Sequence, residues 1–157
     1  MSAIQPGNPA PDFTLETDAG QTFRLADHRG SFVVVYFYPK DDTPACTTEA
    51  ASFSALEGKF EAAGCKVVGI SPDTPESHKK FRKKHDLTVA LASDPDHAVA
   101  QAYGVWVEKS MYGRKYMGIE RTTFLIAPDG RVLRVWEKVK VAGHAEEVLA
   151  AIEAEGR

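Results

Sequence analysis

The chain has 157 residues, 43% of them hydrophobic and 26% charged, with a formal net charge of -3 at pH 7. That length fits one compact domain, taken as residues 1–157, and is short for two. The acidic balance argues against a general nucleic-acid or membrane-surface binder, which needs a basic excess. No apolar run of about 18 residues offers a membrane span. Met1 to Gly7 has neither the basic nor the apolar segment of a secretory leader. Two cysteines without a leader point to a reducing compartment, the cytoplasm, where thiols are catalytic more often than structural.

Taken in order, Gln5 to Pro11 is proline-rich and extended. Asp12 to Leu15 and Gln21 to Leu25 alternate with period two around Asp18-Ala19-Gly20, which predicts an N-terminal hairpin. Phe32 to Tyr38 is an unbroken β-branched and aromatic run, the pattern of a strand buried on both faces. Pro39 stops it, having no N–H for the ladder. After a short polar loop the pattern turns helical at Thr47, with Phe53, Leu56 and Phe60 on one stripe and Gly64 as C-cap. One helix is expected from about Thr47 to Ala63.

Lys66–Ile70 reads as a second buried strand. Thr74 is an N-cap with Pro75 in the first helical position, and that helix should run to His85, its basic end suiting the negative end of the dipole. Leu87–Ala92 is a third strand, and Ser93 to Asp96 turns into a short helix ending near Gly104. Val105 to Gly118 reads as an irregular loop. Thr122–Ile126 and Val132–Trp136 form a hairpin around Pro128-Asp129-Gly130, and Ala145–Glu155 is a closing helix. This order predicts an α/β fold, a sheet with helices on both faces.

Cys46 falls at the strand-loop-helix junction, where free backbone N–H groups and the helix dipole favour an anion such as a thiolate. The plain alternative is a buried structural cysteine. Against it, Thr43, Thr47, Thr48 and Glu49 make the neighbourhood polar. A free thiol with pKa about 8.5 is only a few per cent ionised at neutral pH. Lowering such a value by two units takes about 2.7 kcal/mol, and a helix N-terminus supplies about 0.3–1 kcal/mol, nearer 2 when partly buried. A cation is therefore required nearby. Spacing alone does not select one. Arg121 is the best placed, because it opens the strand Thr122–Ile126 and would lie beside Cys46 if that strand ran antiparallel to the central one; it is equally well an ordinary edge arginine. Thr43 stands where a C-x-x-C motif has its first cysteine, and a hydroxyl cannot form a disulfide, which weighs against thioredoxin-style exchange. The five histidines lack metal-ligand spacing with a cysteine, and there is no nucleotide-binding fingerprint.

Pro39-Lys40-Asp41-Asp42-Thr43-Pro44-Ala45-Cys46 matches the P-x-x-x-T-x-x-C signature of peroxiredoxins. With Phe37-Tyr38-Pro39-Lys40, Thr47-Thr48-Glu49-Ala50, Tyr103-Gly104-Val105-Trp106, Met111-Tyr112-Gly113 and Arg121 to Ile126, nearly the whole chain resembles their bacterioferritin comigratory protein, or Q-type, subgroup. The resemblance implies a thioredoxin-like fold: a central mixed β-sheet flanked by helices on both faces, with an N-terminal β-hairpin. It implies a thiol-dependent peroxidase acting on hydrogen peroxide and organic hydroperoxides, as a monomer, with no metal and no organic cofactor. Carried over by motif, Cys46 is the peroxidatic cysteine, Thr43 hydrogen-bonds the peroxide, Pro39 shields the pocket and Arg121 stabilises thiolate and transition state. Tyr38, Glu49 and Trp106 line the substrate pocket. Ala45 departs from the family's usual glycine. The two places where the subgroup carries a resolving cysteine hold Ala51 and Arg82.

Cys65 is the only other thiol. It follows the expected helix, whose 17 or so residues span roughly 25 Å, whereas a disulfide needs Cα atoms within about 7 Å. Cys65 is therefore read as a small apolar core residue, with no resolving cysteine present. The expectation is a one-cysteine cycle in which an external thiol (glutathione, a glutaredoxin or thioredoxin) reduces the Cys46 sulfenic acid. The competing reading is a redox sensor or relay that passes a disulfide from Cys46 to a partner protein.

Overall fold

The computed structural model describes residues 4–155. Met1 to Ala3, part of the stretch read above for a leader, lie outside them. The elements are β1 (Thr14–Thr17), β2 (Thr22–Arg24), a short 3-10 helix (Leu25–His28), β3 (Phe32–Phe37), α1 (Pro44–Ala55), α2 (Glu57–Ala62), β4 (Cys65–Ser71), α3 (Pro75–His85), β5 (Ala90–Ser93), α4 (Ala98–Ala102), β6 (Trp106–Met111), β7 (Arg114–Ile119), β8 (Thr122–Ile126), β9 (Val132–Trp136) and α5 (His144–Glu155). Among the described residues seven strands form one sheet in the order β2-β1-β5-β4-β3-β8-β9, while β6 and β7 pair only with each other.

The apolar run of β3 sits in the middle of this sheet because its side chains find apolar partners on both faces. Val34 and Tyr36 face α1, α2, α3 and α5 in a cluster with Phe53, Phe60, Phe81, Val148 and Ile152. Val33, Val35 and Phe37 face the other way, into a cluster with Leu25, Val99, Tyr103 and Phe124. The parallel pairing of β3 with β4 runs from Phe32↔Cys65 to Phe37↔Ile70. Gly69 is needed there: a Cβ on it would lie 2.5 Å from Cζ of Tyr36. On the other side, β8 runs antiparallel, with Phe37 opposite Thr122. This fixes the condition left open by the sequence, since Arg121 now stands at the outgoing end of β3.

Four expectations change. The single helix from Thr47 to Ala63 is two, α1 and α2, separated at Leu56 (φ -99°, ψ 2°). The Leu56 N–H lies on both the Ser52 and Phe53 carbonyls, at 3.3 and 3.2 Å, which tightens the last turn of α1, and Gly58 just beyond holds a helix weakly. The first helix also begins earlier, at Pro44, so Cys46 lies inside its first turn. The third strand does not start at Leu87. Arg82 takes the Leu87 and Val89 carbonyls at 2.8 and 2.7 Å, and Ser54 Oγ takes the Thr88 N–H at 3.0 Å, so this stretch has no ladder to join until Ala90. Finally, the irregular loop at Val105 to Gly118 is a regular hairpin turning at Tyr112 and Gly113, both at positive φ (52° and 76°). That is the conformation of a two-residue turn matched to strand twist.

Candidate active site

Helix α1 starts where β3 has been stopped by Pro39. Tyr38 still bonds the sheet, its N–H on the Ile70 carbonyl at 3.0 Å, and the chain then leaves it. Thr43 is the N-cap of α1 in extended backbone, yet its side chain does not cap. The hydroxyl instead donates back to the Lys40 carbonyl at 3.0 Å. The first intrahelical donor is Thr47 N–H, on the Thr43 carbonyl at 2.8 Å. Pro44 has no N–H, so the orphan donors of this helix start are those of Ala45 and Cys46. They are left open beside the cysteine, at the positive end of the dipole.

Cys46 is 1% exposed. Arg121 reaches it from the start of β8, Nη2 donating to Sγ at 3.2 Å. The same guanidinium donates from Nη1 to Glu49 Oε1 at 2.7 Å. Glu49 stands three residues after Cys46, one helical turn on, so cysteine and carboxylate share a face of α1. Burial pushes the Glu49 carboxyl up to about 7, against the pull of Arg121 in the other direction. Its second oxygen is buried and has no partner among the described residues. For Arg121, burial works against the charge, but Glu49 and the Cys46 sulfur outweigh it and hold the guanidinium above its ordinary range.

Of the residues singled out in the sequence, Cys46, Glu49 and Arg121 are in direct contact. Thr43 and Pro39 belong to the loop that leads into α1, Pro39 exposed and Thr43 half-buried. Tyr38 is 1% exposed and gives its hydroxyl to Asp41 at 2.6 Å, so it faces α3 rather than solvent. Trp106 stacks on His97, centroids 3.8 Å apart, at the base of the β6–β7 hairpin. Two features escaped the sequence reading. Lys109, on that hairpin, lies within electrostatic reach of both Arg121 and Cys46; burial and then Arg121 hold its ammonium below the usual lysine range. Its stem runs over Gly118, where a Cβ would come within 3.3 Å of it. The second is a buried polar network on Asp41 and His78. A glycine in a polar, lysine-bearing stretch was the available signal for the first, and the Asp41-Asp42 doublet before Cys46 for the second.

Residues 6–135 match the AhpC/TSA family. Peroxiredoxin Bcp of Bacillus subtilis is 46% identical over 149 residues, 95% of each chain. The chain is a member of this family, among the Bcp peroxiredoxins. Its enzymatic activity is that of a thiol-dependent peroxidase, with a peroxide as substrate and a thiol as reductant. The bacterioferritin comigratory protein of Xanthomonas campestris, solved as trapped intermediate and ligand complexes bearing on its alkyl peroxide reduction, superposes with a TM-score of 0.90 at 43% identity over the full length of both chains. A cysteine-to-serine variant of PrxQ from Xylella fastidiosa gives 0.94 at 38% identity, again over 100% of both. The peroxiredoxin thus has the thioredoxin-like mixed sheet of the Q-type structures, and the N-terminal hairpin joins it through β1 and β5.

Proposed function

We propose that this peroxiredoxin reduces hydrogen peroxide and organic hydroperoxides at Cys46 through a sulfenic acid, in a one-cysteine cycle completed by an external thiol. The observation that carries the reading is the Arg121 Nη2–Cys46 Sγ contact of 3.2 Å at the open N-terminus of α1. A thiolate held there attacks the nearer peroxide oxygen, the O–O bond breaks, and the farther oxygen leaves as hydroxide or alkoxide and takes up a proton. Negative charge moves from sulfur onto that oxygen, and donors already aimed at the site stabilise it without reorganising. In this reading the Ala45 and Cys46 N–H groups and Arg121 are those donors. Thr43 Oγ1, whose hydrogen is committed to Lys40, accepts the hydrogen of the peroxide. Glu49 orients Arg121, and Pro39 and Trp106 wall the approach, while Tyr38, turned toward α3, lies behind the loop.

The sulfenic acid then condenses with a thiol, forming a mixed disulfide and water, and a second thiol releases Cys46. Glutathione, a glutaredoxin or thioredoxin supplies these thiols. An internal partner is disfavoured by register. Cys65 is level with Phe32, at the opposite end of β3 from Cys46, and five residue steps of strand already span about 16 Å. Both cysteines are free, which suits a reducing cytoplasm, and we take the protein to act as a monomer. No helix among the described residues is long and apolar enough to cross a membrane. Two measurements test the reading. Cys46→Ser should fold and consume no peroxide. Mass spectrometry after one equivalent of peroxide without reductant should show sulfenic acid on a monomer; a Cys46–Cys65 disulfide as main product would overturn the one-cysteine cycle.

A further inference from the structure

The loop that carries Thr43 to Cys46 is gripped by helix α3 through a buried network. Asp41 Oδ1 accepts the Tyr38 hydroxyl at 2.6 Å, and Oδ2 accepts the Ser77 hydroxyl at 2.8 Å. The same Oδ2 meets His78 Nδ1 at 2.7 Å, and the other ring nitrogen, Nε2, meets the Ala92 carbonyl at 3.1 Å. His78 is 0% exposed. Both ring nitrogens therefore face oxygen acceptors, and a neutral imidazole has only one N–H to offer. The imidazole is thereby tied at both nitrogens, and Nδ1 also lies 3.4 Å from the Tyr38 hydroxyl. Such a unit is stable in the interior only when every contact is made.

The network continues along the chain. The Asp41 N–H donates to Asp73 Oδ2 at 2.8 Å, and that oxygen also accepts the Ser71 hydroxyl at 2.7 Å. Asp42, at φ 60°, pairs outside with Lys84 and His85 of the same helix, at 2.8 and 2.7 Å. Successive residues are thus fixed from the inner and outer sides of α3, and the next is Thr43. None of these bonds involves Cys46 or Arg121, which are held by α1 and β8.

We propose that Asp41 and His78 are positioning residues for the peroxide step. They set the place of the loop at residues 39–43, so that Thr43 and the open N–H groups of α1 converge on one point, and they do so without touching the substrate. This rests on the peroxidase reading above. It separates two functions: β8 tunes the sulfur through Arg121, and α3 places the peroxide through Asp41.

The test compares two rates at Cys46 in Asp41→Asn and His78→Gln: oxidation by hydrogen peroxide in a single turnover, and alkylation by iodoacetamide. Alkylation needs a reactive sulfur but no placed peroxide. A loop displaced by about 1 Å should slow peroxide attack about 10²-fold and alkylation less than about twofold. An equal loss in both rates marks a general structural effect and overturns the proposal, as does an unchanged peroxide rate. Should these variants not fold, Tyr38→Phe and Ser77→Ala each remove one bond to Asp41; a smaller loss with the same split supports the proposal, and no split overturns it. NMR of the wild type should show a far-downfield imidazole proton from His78 that disappears in Asp41→Asn, and its absence from the wild type would also overturn it. A wild type whose Cys46 is not oxidised by peroxide refutes instead the peroxidase reading, a result distinct from any difference among variants.

Discussion

Arg121 and Cys46 are 75 residues apart in sequence and meet at 3.2 Å, Nη2 to Sγ, because β8 runs antiparallel to β3 and begins where β3 ends. The guanidinium is fixed by Glu49 on one side, so its second arm is pre-aimed at the sulfur. Replacing Arg121 by alanine removes the cation that the helix dipole cannot replace. Peroxide attack should fall about 10²–10³-fold, the loss typical of one donor to a developing oxyanion. Lysine should restore only part of the rate, since it keeps a charge but loses the planar fork that serves Glu49 and Cys46 together. The pH profile of Cys46 alkylation checks this; identical profiles in wild type and Arg121→Ala would remove Arg121 from the mechanism.

Glu49 gives a stability prediction with a defined sign. Its folded-state pKa of about 7 lies above the ordinary value of 4.5, chiefly through burial. Between these two values the folded protein binds more protons than the unfolded chain at this site. The contribution of Glu49 to stability therefore falls as pH rises through that window and is level above it. The drop is about 3 kcal/mol by linkage. Glu49→Gln does not titrate, so its stability relative to wild type should climb by that order from pH 4.5 to 7. Urea unfolding at several pH values measures the difference, and a constant difference would mean that Glu49 stays ionised throughout.

Cys65→Ser should retain full peroxidase turnover with an external thiol. Cys65 is buried at the start of β4, and burial pushes its thiol up to about 12, so almost none is nucleophilic thiolate at neutral pH. Steady-state rates with glutathione and with thioredoxin decide this, and a variant that oxidises once and then stalls would assign Cys65 a redox role.

Arg82→Ala should destabilise the fold, although Arg82 bonds neither Cys46 nor Arg121. Its guanidinium holds the buried Asp18 carboxylate through Nε and Nη2, and the Leu87 and Val89 carbonyls through Nη1 and Nη2. Removing it strands a carboxylate that is 4% exposed. A loss of about 3 kcal/mol is expected for such a pair, or roughly 6–12 °C in Tm for a chain of this size. Thermal unfolding measures it.

The parts of this fold legible in the sequence were those where burial and turn chemistry agree. Phe32 to Tyr38 has no polar interruption, and Pro39 ends it, which placed Cys46 at the head of a helix. Thr74 and Pro75 marked the start of α3, where Thr74 does accept the Ser77 N–H at 3.1 Å. Arg121 could be placed only conditionally, because one strand's direction decides it. The β6–β7 hairpin was missed because both its faces are largely wet: Glu108, Ser110, Lys115 and Tyr116 are exposed, so no apolar alternation marks it. The late start of β5 depends on Arg82 and Ser54 capturing backbone groups from other elements, a tertiary competition without local signature. The same holds for His78, whose partners lie 37 and 14 residues away.

Arg82 and His78 stand four residues apart on α3, one turn of a single helix. The first grips Asp18, in the turn between β1 and β2, and the second grips Asp41, ahead of the reactive thiol. The amino-terminal edge of the sheet and the loop before Cys46 are therefore two ends of one lever, with α3 as the beam. A protease nick at the exposed Ala19-Gly20 tip would loosen a grip whose far end lies at Asp41, in the loop before Cys46. Read in reverse, a fluorophore on Ala19 becomes a remote gauge of the catalytic loop, sensing its release without occupying the path by which peroxide arrives.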